Sequence, residues 1–233
     1  MIESKENERV KHLNKLKLKK YRDEHGEFLV FGEHLIEEAT KHGEVKGIYT
    51  TNNKKGGTLI TKNIMKDLSE MKSIPERLAL VSKIDNSHIK SDKILILEDL
   101  QNPQNVGGLI RSASAFGFKR IIMSDKCADI YNEKVIQASQ GSIFHLNITR
   151  GNIYDEIMKL KQEDYHIVVT SLNASNTLTS SKKIALVLGN EGSGVTDDAL
   201  VLADSFAKIE TETVESLNVA IAGSILMYEW SLR

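Results

Sequence analysis

Apolar and polar positions along this chain fall into two alternating patterns with a polar stretch between them. In the first, Val10, Leu13 and Leu16 recur at helical spacing inside a basic run, so residues 9–22 predict a helix with one inward face. Phe28-Leu-Val-Phe31 reads as a short strand. Leu35, Ile36 and Ala39 set a helix over residues 34–42 that Gly43 stops. Residues 47–50 and 58–61 read as further strands. Asn63 is placed to cap a helix carrying Ile64, Met65 and Leu68, and residues 78–81 supply a closing strand. Together these predict a small α/β domain over residues 1–87. The following stretch is polar and aperiodic, and residues 88–92 read as a linker.

The second pattern is stronger. Residues 93–98, Lys-Ile-Leu-Ile-Leu-Glu, form the continuous apolar run that a parallel strand buried on both faces requires. A loop over residues 99–105 leads into a helix ending near Phe116, and residues 120–123 give the next strand. Asn132 caps a helix reaching about Phe144, and a helix over residues 152–163 precedes the strand at 166–170. Residues 184–188 and 206–209 are further strands, and a long helix runs from about Leu217 to Leu232. Strands alternating with helices predict an α/β domain over residues 93–233. Its sheet is parallel, covered on both faces, and gathers ligands at the carboxyl ends of its strands.

Composition narrows the class without naming a function. The chain is 40% hydrophobic and 27% charged, enough apolar material for a core in each part. No apolar run approaches the ~20 residues a membrane helix needs, and the charged N-terminus lacks the apolar core of a secretion signal. The one cysteine, Cys127, excludes an intramolecular disulfide and a zinc knuckle, and reads as a small buried hydrophobe. A cytoplasmic protein without a metal is the expectation. The net charge of −1 hides an asymmetry: residues 1–92 carry 18 Lys+Arg against 15 Asp+Glu, and the remainder 13 against 17. From Arg9 to Arg22 stand Lys11, Lys15, Lys17, Lys19 and Lys20 with no acid among them. That run is a candidate RNA-phosphate patch, or equally the solvated face of an ordinary helix.

Three segments just after strands mix glycines with specific polar groups. In Asn102-Pro-Gln-Asn-Val-Gly-Gly-Leu-Ile-Arg111, Asn105 is a candidate helix cap, Gly107 and Gly108 permit close approach, and Arg111 follows on the first turns, a fair anion site. In Leu188-Gly-Asn-Glu-Gly-Ser-Gly194 the glycine spacing is neither a dinucleotide fingerprint nor a phosphate-binding loop. Its bare backbone can still meet an adenine or sugar edge, and Glu191 can anchor a ligand or orient Arg111. In Glu215-Ser-Leu-Asn-Val-Ala220, Ser216 or a neighbour caps the final helix, and Asn218 is a polar intrusion on an apolar face.

Taken together, and in that order, the three segments resemble the SpoU (TrmH-type) branch of the SPOUT RNA 2′-O-ribose methyltransferases across residues 93–233. The stretch Phe28-Leu-Val-Phe-Gly-Glu-His-Leu-Ile-Glu-Glu-Ala39 looks like that family's ribosomal-protein-like substrate-binding domain. The resemblance implies a deep trefoil knot, otherwise rare in proteins. It implies a homodimer whose subunits complete each other's active sites. It places S-adenosylmethionine against Leu188, Gly189, Ile209 and Leu217, with Asn105, Arg111, Glu191, Ser216 and Asn218 at the catalytic centre. Asn102 stands where the family commonly has Asp, and Glu210 where it usually has Pro, which bears on loop geometry and subfamily.

The implied reaction moves a methyl group from the cofactor's sulfonium to a ribose 2′-hydroxyl, and needs no metal. A separate N-terminal RNA domain favours ribosomal over transfer RNA as substrate. A guanidinium with pKa above ~12 is a poor base. Arg111 is therefore read as gripping the adjacent RNA phosphate and orienting the hydroxyl, with that phosphate taking the proton. Two other readings compete. One is a catalytically silent RNA-binding or ribosome-assembly protein on the same scaffold. The other is a different α/β enzyme holding a nucleotide or small metabolite in the Gly189 loop.

Overall fold

The computed structural model describes residues 1–172 and 181–232. Contacts divide the chain into two compact units, Met1–Asp85 with Asp129–Phe144, and Asn86–Ala128 with His145–Arg233.

The first unit is built on a four-stranded sheet of order β1-β4-β2-β3. Its strands are β1 (Glu27–Phe31), β2 (Val45–Thr50), β3 (Thr58–Leu59) and β4 (Arg77–Ser82). β4 pairs antiparallel with both β1 and β2, while β2 and β3 are parallel. Helices α1 (Glu8–Lys15) and α4 (Lys62–Leu68) bury Val10, Leu13, Ile64, Met65 and Leu68 against Leu29, Phe31, Leu78 and Leu80 of the sheet. α3 (Glu33–His42) ends at Gly43 as its spacing predicts.

Three features depart from the sequence reading. The basic run is not one helix: α1 gives way to α2 (Lys19–His25) through an extended Leu18. The break frees the carbonyls of Leu16 and Lys17, and Arg22 Nη1 donates to both at 2.8 and 2.7 Å. The cap of α4 is Thr61, whose Oγ1 accepts from Ile64 N at 3.3 Å, because Asn63 already lies inside the first turn. Finally, α6 (Glu133–Ser139), capped by Asn132 as expected, packs with this unit and not with the C-terminal one. Gln137 Nε2 donates to Phe31 O at 3.1 Å, and Glu133 accepts from Ser69 Oγ at 2.8 Å and Glu70 N at 2.9 Å.

The second unit carries a six-stranded sheet of order β10-β8-β9-β5-β6-β7, parallel throughout. Its strands are β5 (Lys93–Leu97), β6 (Arg120–Met123), β7 (Asn147–Arg150), β8 (His166–Thr170), β9 (Ile184–Leu188) and β10 (Ser205–Ala207). The apolar runs at β5 and β9 lie side by side at the centre, as buried parallel strands do. α7 (Ile153–Gln162) falls where the sequence predicts a helix, while β7, a polar edge strand, and the short α8 (Asp197–Val201) add to the predicted elements.

α5 (Pro103–Ala115) and α9 (Val219–Ser231) lie against each other. A Cβ at Gly108 would stand 3.6 Å from Ala220 Cβ, Ser112 and Ser224 hydroxyls meet at 2.7 Å, and Phe116 and Tyr228 rings meet edge to face at 5.6 Å. Positions four apart on each helix therefore form one ladder. Among the described residues no helix is long and apolar enough to cross a membrane.

Candidate active site

The carboxyl ends of β5 and β9 present two loops, and hydrogen bonds stitch one to the other. α5 is capped by Asn102, not Asn105: its Oδ1 accepts from Gln104 N at 2.9 Å, with Pro103 at the first helical position. That leaves the amide of Asn105, 9% exposed, free for another task. Its Nδ2 donates to Glu191 Oε1 at 3.1 Å, and its Oδ1 accepts from Asn218 Nδ2 at 3.1 Å. Asn218, in turn, caps α9 in place of Ser216, accepting from Ala220 N at 2.9 Å. The polar intrusion on an apolar helix thus does two jobs. It closes the helix start and continues a chain Asn218–Asn105–Glu191 that joins all three segments.

Glu191 holds the β5–α5 loop as well. Its Oε1 accepts from Asn102 N at 3.1 Å and its Oε2 from Gln101 N at 3.4 Å. Burial would raise its carboxyl pKa, but its own backbone N–H, the Asn105 amide and the loop N–H groups outweigh that and hold it below the usual carboxylate range. A carboxylate so held is a weak base. Glu191 is suited to anchoring, not to removing a proton.

Sequence reasoning missed a second clasp running the other way. Glu98, 2% exposed at the end of β5, reaches the exit of the β9 loop. Its Oε1 accepts from Thr196 Oγ1 at 2.7 Å and Tyr154 OH at 2.8 Å, and its Oε2 from Thr196 N at 3.0 Å. Asn190 adds a third stitch, its Nδ2 donating to Asp99 O at 2.8 Å, with Asp99 in the left-handed region at φ 56. A buried carboxylate ending a strand was the available signal, since such a group must find donors.

Beside these loops lies a cavity of about 720 Å³. Leu188, Gly189, Ile209 and Leu217 line it together with Ser216, Asn218 and Glu191. Ser216 is exposed at its wall and makes no hydrogen bond among the described residues. Arg111 is not part of this wall. It stands exposed on α5, and its side chain makes no hydrogen bond or ion pair to a described residue. Asn105 sits just behind the cavity and connects to it through Glu191 and Asn218.

The basic run of the first unit is sorted by its partners. Arg22 is 5% exposed and clamps Asp129 Oδ2 through Nε at 3.0 Å and Nη2 at 2.6 Å, so its expected role toward RNA is corrected to a structural one. Lys11 pairs with Glu6 at 3.0 Å and Glu8 at 3.2 Å, Lys19 pairs with Asp23 at 2.6 Å, and Lys17 Nζ donates to Asp67 O at 2.8 Å. Arg9, Lys15 and Lys20 are exposed and make no ion pair with a described residue.

Comparison with known proteins settles the kinship of this site. The model of the SpoU rRNA Methylase family matches residues 92–228, and that of the MRM3-like substrate binding domain matches residues 7–106. This chain belongs to the SpoU rRNA methylase family. A Bacillus subtilis relative, 23S rRNA (guanosine(2553)-2′-O)-methyltransferase RlmP, is 32% identical, with 97% of each chain covered. Among solved structures, an RNA 2′-O ribose methyltransferase is 26% identical at a TM-score of 0.85, covering 100% of this chain and 98% of its own. The SpoU methyltransferase AviRb from Streptomyces viridochromogenes, in complex with the cofactor AdoMet, shares the fold at a TM-score of 0.85, 24% identity and 97% coverage of each chain. The substrate-binding model thus covers the N-terminal α/β domain, and the methylase model the parallel-sheet domain that follows it in the chain.

Proposed function

We propose that this protein transfers the methyl group of S-adenosylmethionine to a ribose 2′-hydroxyl of RNA, with ribosomal RNA as the substrate and the cytoplasm as its setting. The observation that carries the reading is the cavity and the polar chain at its edge: Asn105, Glu191 and Asn218, from three separate segments, are tied into one array beside it. The name of the Bacillus subtilis relative supports both the 2′-hydroxyl and the ribosomal substrate.

The residues present fit the cofactor. The cavity lies in the size range of small-molecule sites. Its walls combine leucine and isoleucine side chains, suited to an adenine face, with the backbone of residues 189–195 for the adenine and ribose edges. When bound, S-adenosylmethionine supplies a methyl group on a positively charged sulfur, which leaves as a neutral thioether. The work left to the protein is alignment, exclusion of water and handling of the hydroxyl proton. Leu188, Gly189, Ile209 and Leu217 would hold the cofactor; Glu191, Asn105 and Asn218 fix the loop that would face the ribose, and Ser216 stands at the cavity wall with its hydroxyl available to the ligand. Arg111 grips the phosphate beside the target ribose through its forked N–H groups, and that phosphate accepts the hydroxyl proton.

Arg111 reaches a cavity in this reading through a second copy of the chain. α9 is apolar nearly all round, which an isolated surface helix cannot afford. Ile221, Ile225, Tyr228 and Leu232 are exposed on it at 54, 36, 50 and 70%, spaced as one stripe. Arg111 lies on the part of α5 that runs beside that stripe, between Gly108 and Ser112 of the ladder. Two copies pairing across α9 bury the stripe and carry each Arg111 toward the partner's cavity. A trefoil knot around the cavity belongs to the same reading, on the kinship of fold. Light scattering checks the pairing: the double variant Ile221→Glu/Ile225→Glu is expected to run as a folded monomer without methyl transfer, and a fully active dimer from it would refute this arrangement.

The reaction itself is tested by incubating the protein with labelled S-adenosylmethionine and ribosomal or transfer RNA. S-adenosylhomocysteine is expected to form when RNA is added, with the label resistant to alkaline cleavage at one ribose. Tight RNA binding without cofactor binding would instead favour the silent RNA-binding protein.

A further inference from the structure

Arg9, Lys15 and Lys20, the cations of the basic run without an ion pair to a described residue, share one stripe with three aromatic rings. Arg9, His12 and Lys15 follow one another at three-residue steps on α1, and Tyr21 and His25 lie alongside on α2. The His12 and His25 rings meet edge to face at 4.8 Å, and those of His25 and Tyr21 are near parallel at 6.4 Å. Lys15 and Lys20 stand over the Tyr21 ring at 5.6 and 5.7 Å. At its Arg9 end the stripe opens into a cavity of about 530 Å³, floored by Gly47, Tyr49 and Leu80 and rimmed by Arg9, His12 and Lys46. Of the acids nearby, Glu6 and Glu8 share Lys11, while Glu27 lies 2.6 Å from the His12 ring and pairs with Lys46 at 3.0 Å.

We propose that this stripe and cavity hold an unpaired stretch of the RNA substrate. One base enters the cavity against Tyr49 and Leu80, and the flanking phosphates lie on Arg9, Lys15 and Lys20. Tyr21 and His25 offer ring faces to a neighbouring base. Cations interleaved with aromatic faces suit single strands, whose bases are free to stack. A duplex presents its phosphates and hides its base faces. The six-residue step from Arg9 to Lys15 covers about 9 Å of helix, room for one or two nucleotides. Naming the strand as substrate rests on the methyltransferase reading above; the binding chemistry does not.

The test uses the full chain, a fluorescein-labelled oligouridylate, and the same strand annealed to its complement. Against wild type, Arg9→Gln/Lys15→Gln/Lys20→Gln is expected to bind the single strand at least tenfold more weakly with an unchanged melting temperature. Its salt slope should fall by about 2, at ~0.7 per lost phosphate contact. Tyr21→Leu should weaken binding several-fold and leave the slope alone. In methyl-transfer assays the triple variant should raise KM for RNA and keep kcat and cofactor affinity. Equal single-strand affinity in wild type and triple variant, or preference for the duplex, overturns the proposal. If wild type methylates RNA and the triple variant matches it throughout, the stripe is wrong and the enzyme reading stands. If wild type methylates no RNA yet the binding differences persist, the enzyme reading falls and the stripe stands.

Discussion

Arg111→Lys is expected to lower methyl transfer to RNA about a hundredfold while cofactor affinity and melting temperature stay near wild type. The charge survives the substitution, so long-range attraction to the phosphate is nearly unchanged. What is lost is the planar fork that fixes two phosphate oxygens at once, and with it the direction of the hydroxyl. Losing one well-aimed donor at a reacting centre costs ~10²–10³ in rate. The side chain is exposed and unpartnered among the described residues, so folding has little at stake. A lysine variant with near wild-type kcat would remove Arg111 from the orienting role. The pH profile of the wild type gives a second reading of the same site. Glu191 has a carboxyl pKa lowered from its ordinary value, so its anchoring contribution is present above the usual carboxylate range and is lost as pH falls through the depressed value. Activity should therefore show no acid limb from Glu191 between pH 8 and about 5.

The strands were legible because a strand buried on both faces has to be a run of apolar residues, and β5 and β9 are such runs. β7 was not, since Asn147-Ile-Thr-Arg150 sits at the sheet edge with one apolar side chain to announce it. Caps failed for a common reason. Asn102 and Asn105, Thr61 and Asn63, Ser216 and Asn218 are all competent acceptors, and the choice is made by which residue stays extended while the next turn closes. Those misassignments mattered, because an Asn105 spent on capping could not have linked Glu191 to Asn218. Charge was the least informative signal. The run from Arg9 to Arg22 looked uniform in sequence, yet a helix break draws Arg22 inward and nearby acids take Lys11 and Lys19. Helical spacing likewise could not tell that α6 would pack on β1, as that depends on side-chain partners far away in the chain.

Gly189→Ala is expected to weaken cofactor binding by a hundredfold or more and to lower the melting temperature. The position carries no positive-φ requirement; the obstacle is space. A Cβ there would stand 2.2 Å from Gly194 C, 2.3 Å from Val195 N and 2.4 Å from Gly194 O, all backbone atoms that cannot rotate aside. The loop would have to open, breaking the pair of bonds in which Asn190 N donates to Gly194 O and Gly194 N to Asn190 O, each 3.0 Å. Those residues form one wall of the cavity, and Asn190 and Glu191 also stitch it to the β5–α5 loop. A shift of about 1 Å at such a wall is enough to cost ~10²-fold in a site that works by alignment. Gly151→Ala is the control: its Cβ would meet nothing within 4 Å, so it should bind the cofactor as wild type does. Calorimetry with S-adenosylhomocysteine measures both. Wild-type affinity in Gly189→Ala would mean that the cofactor does not depend on this loop, and the assignment of the cavity would have to move.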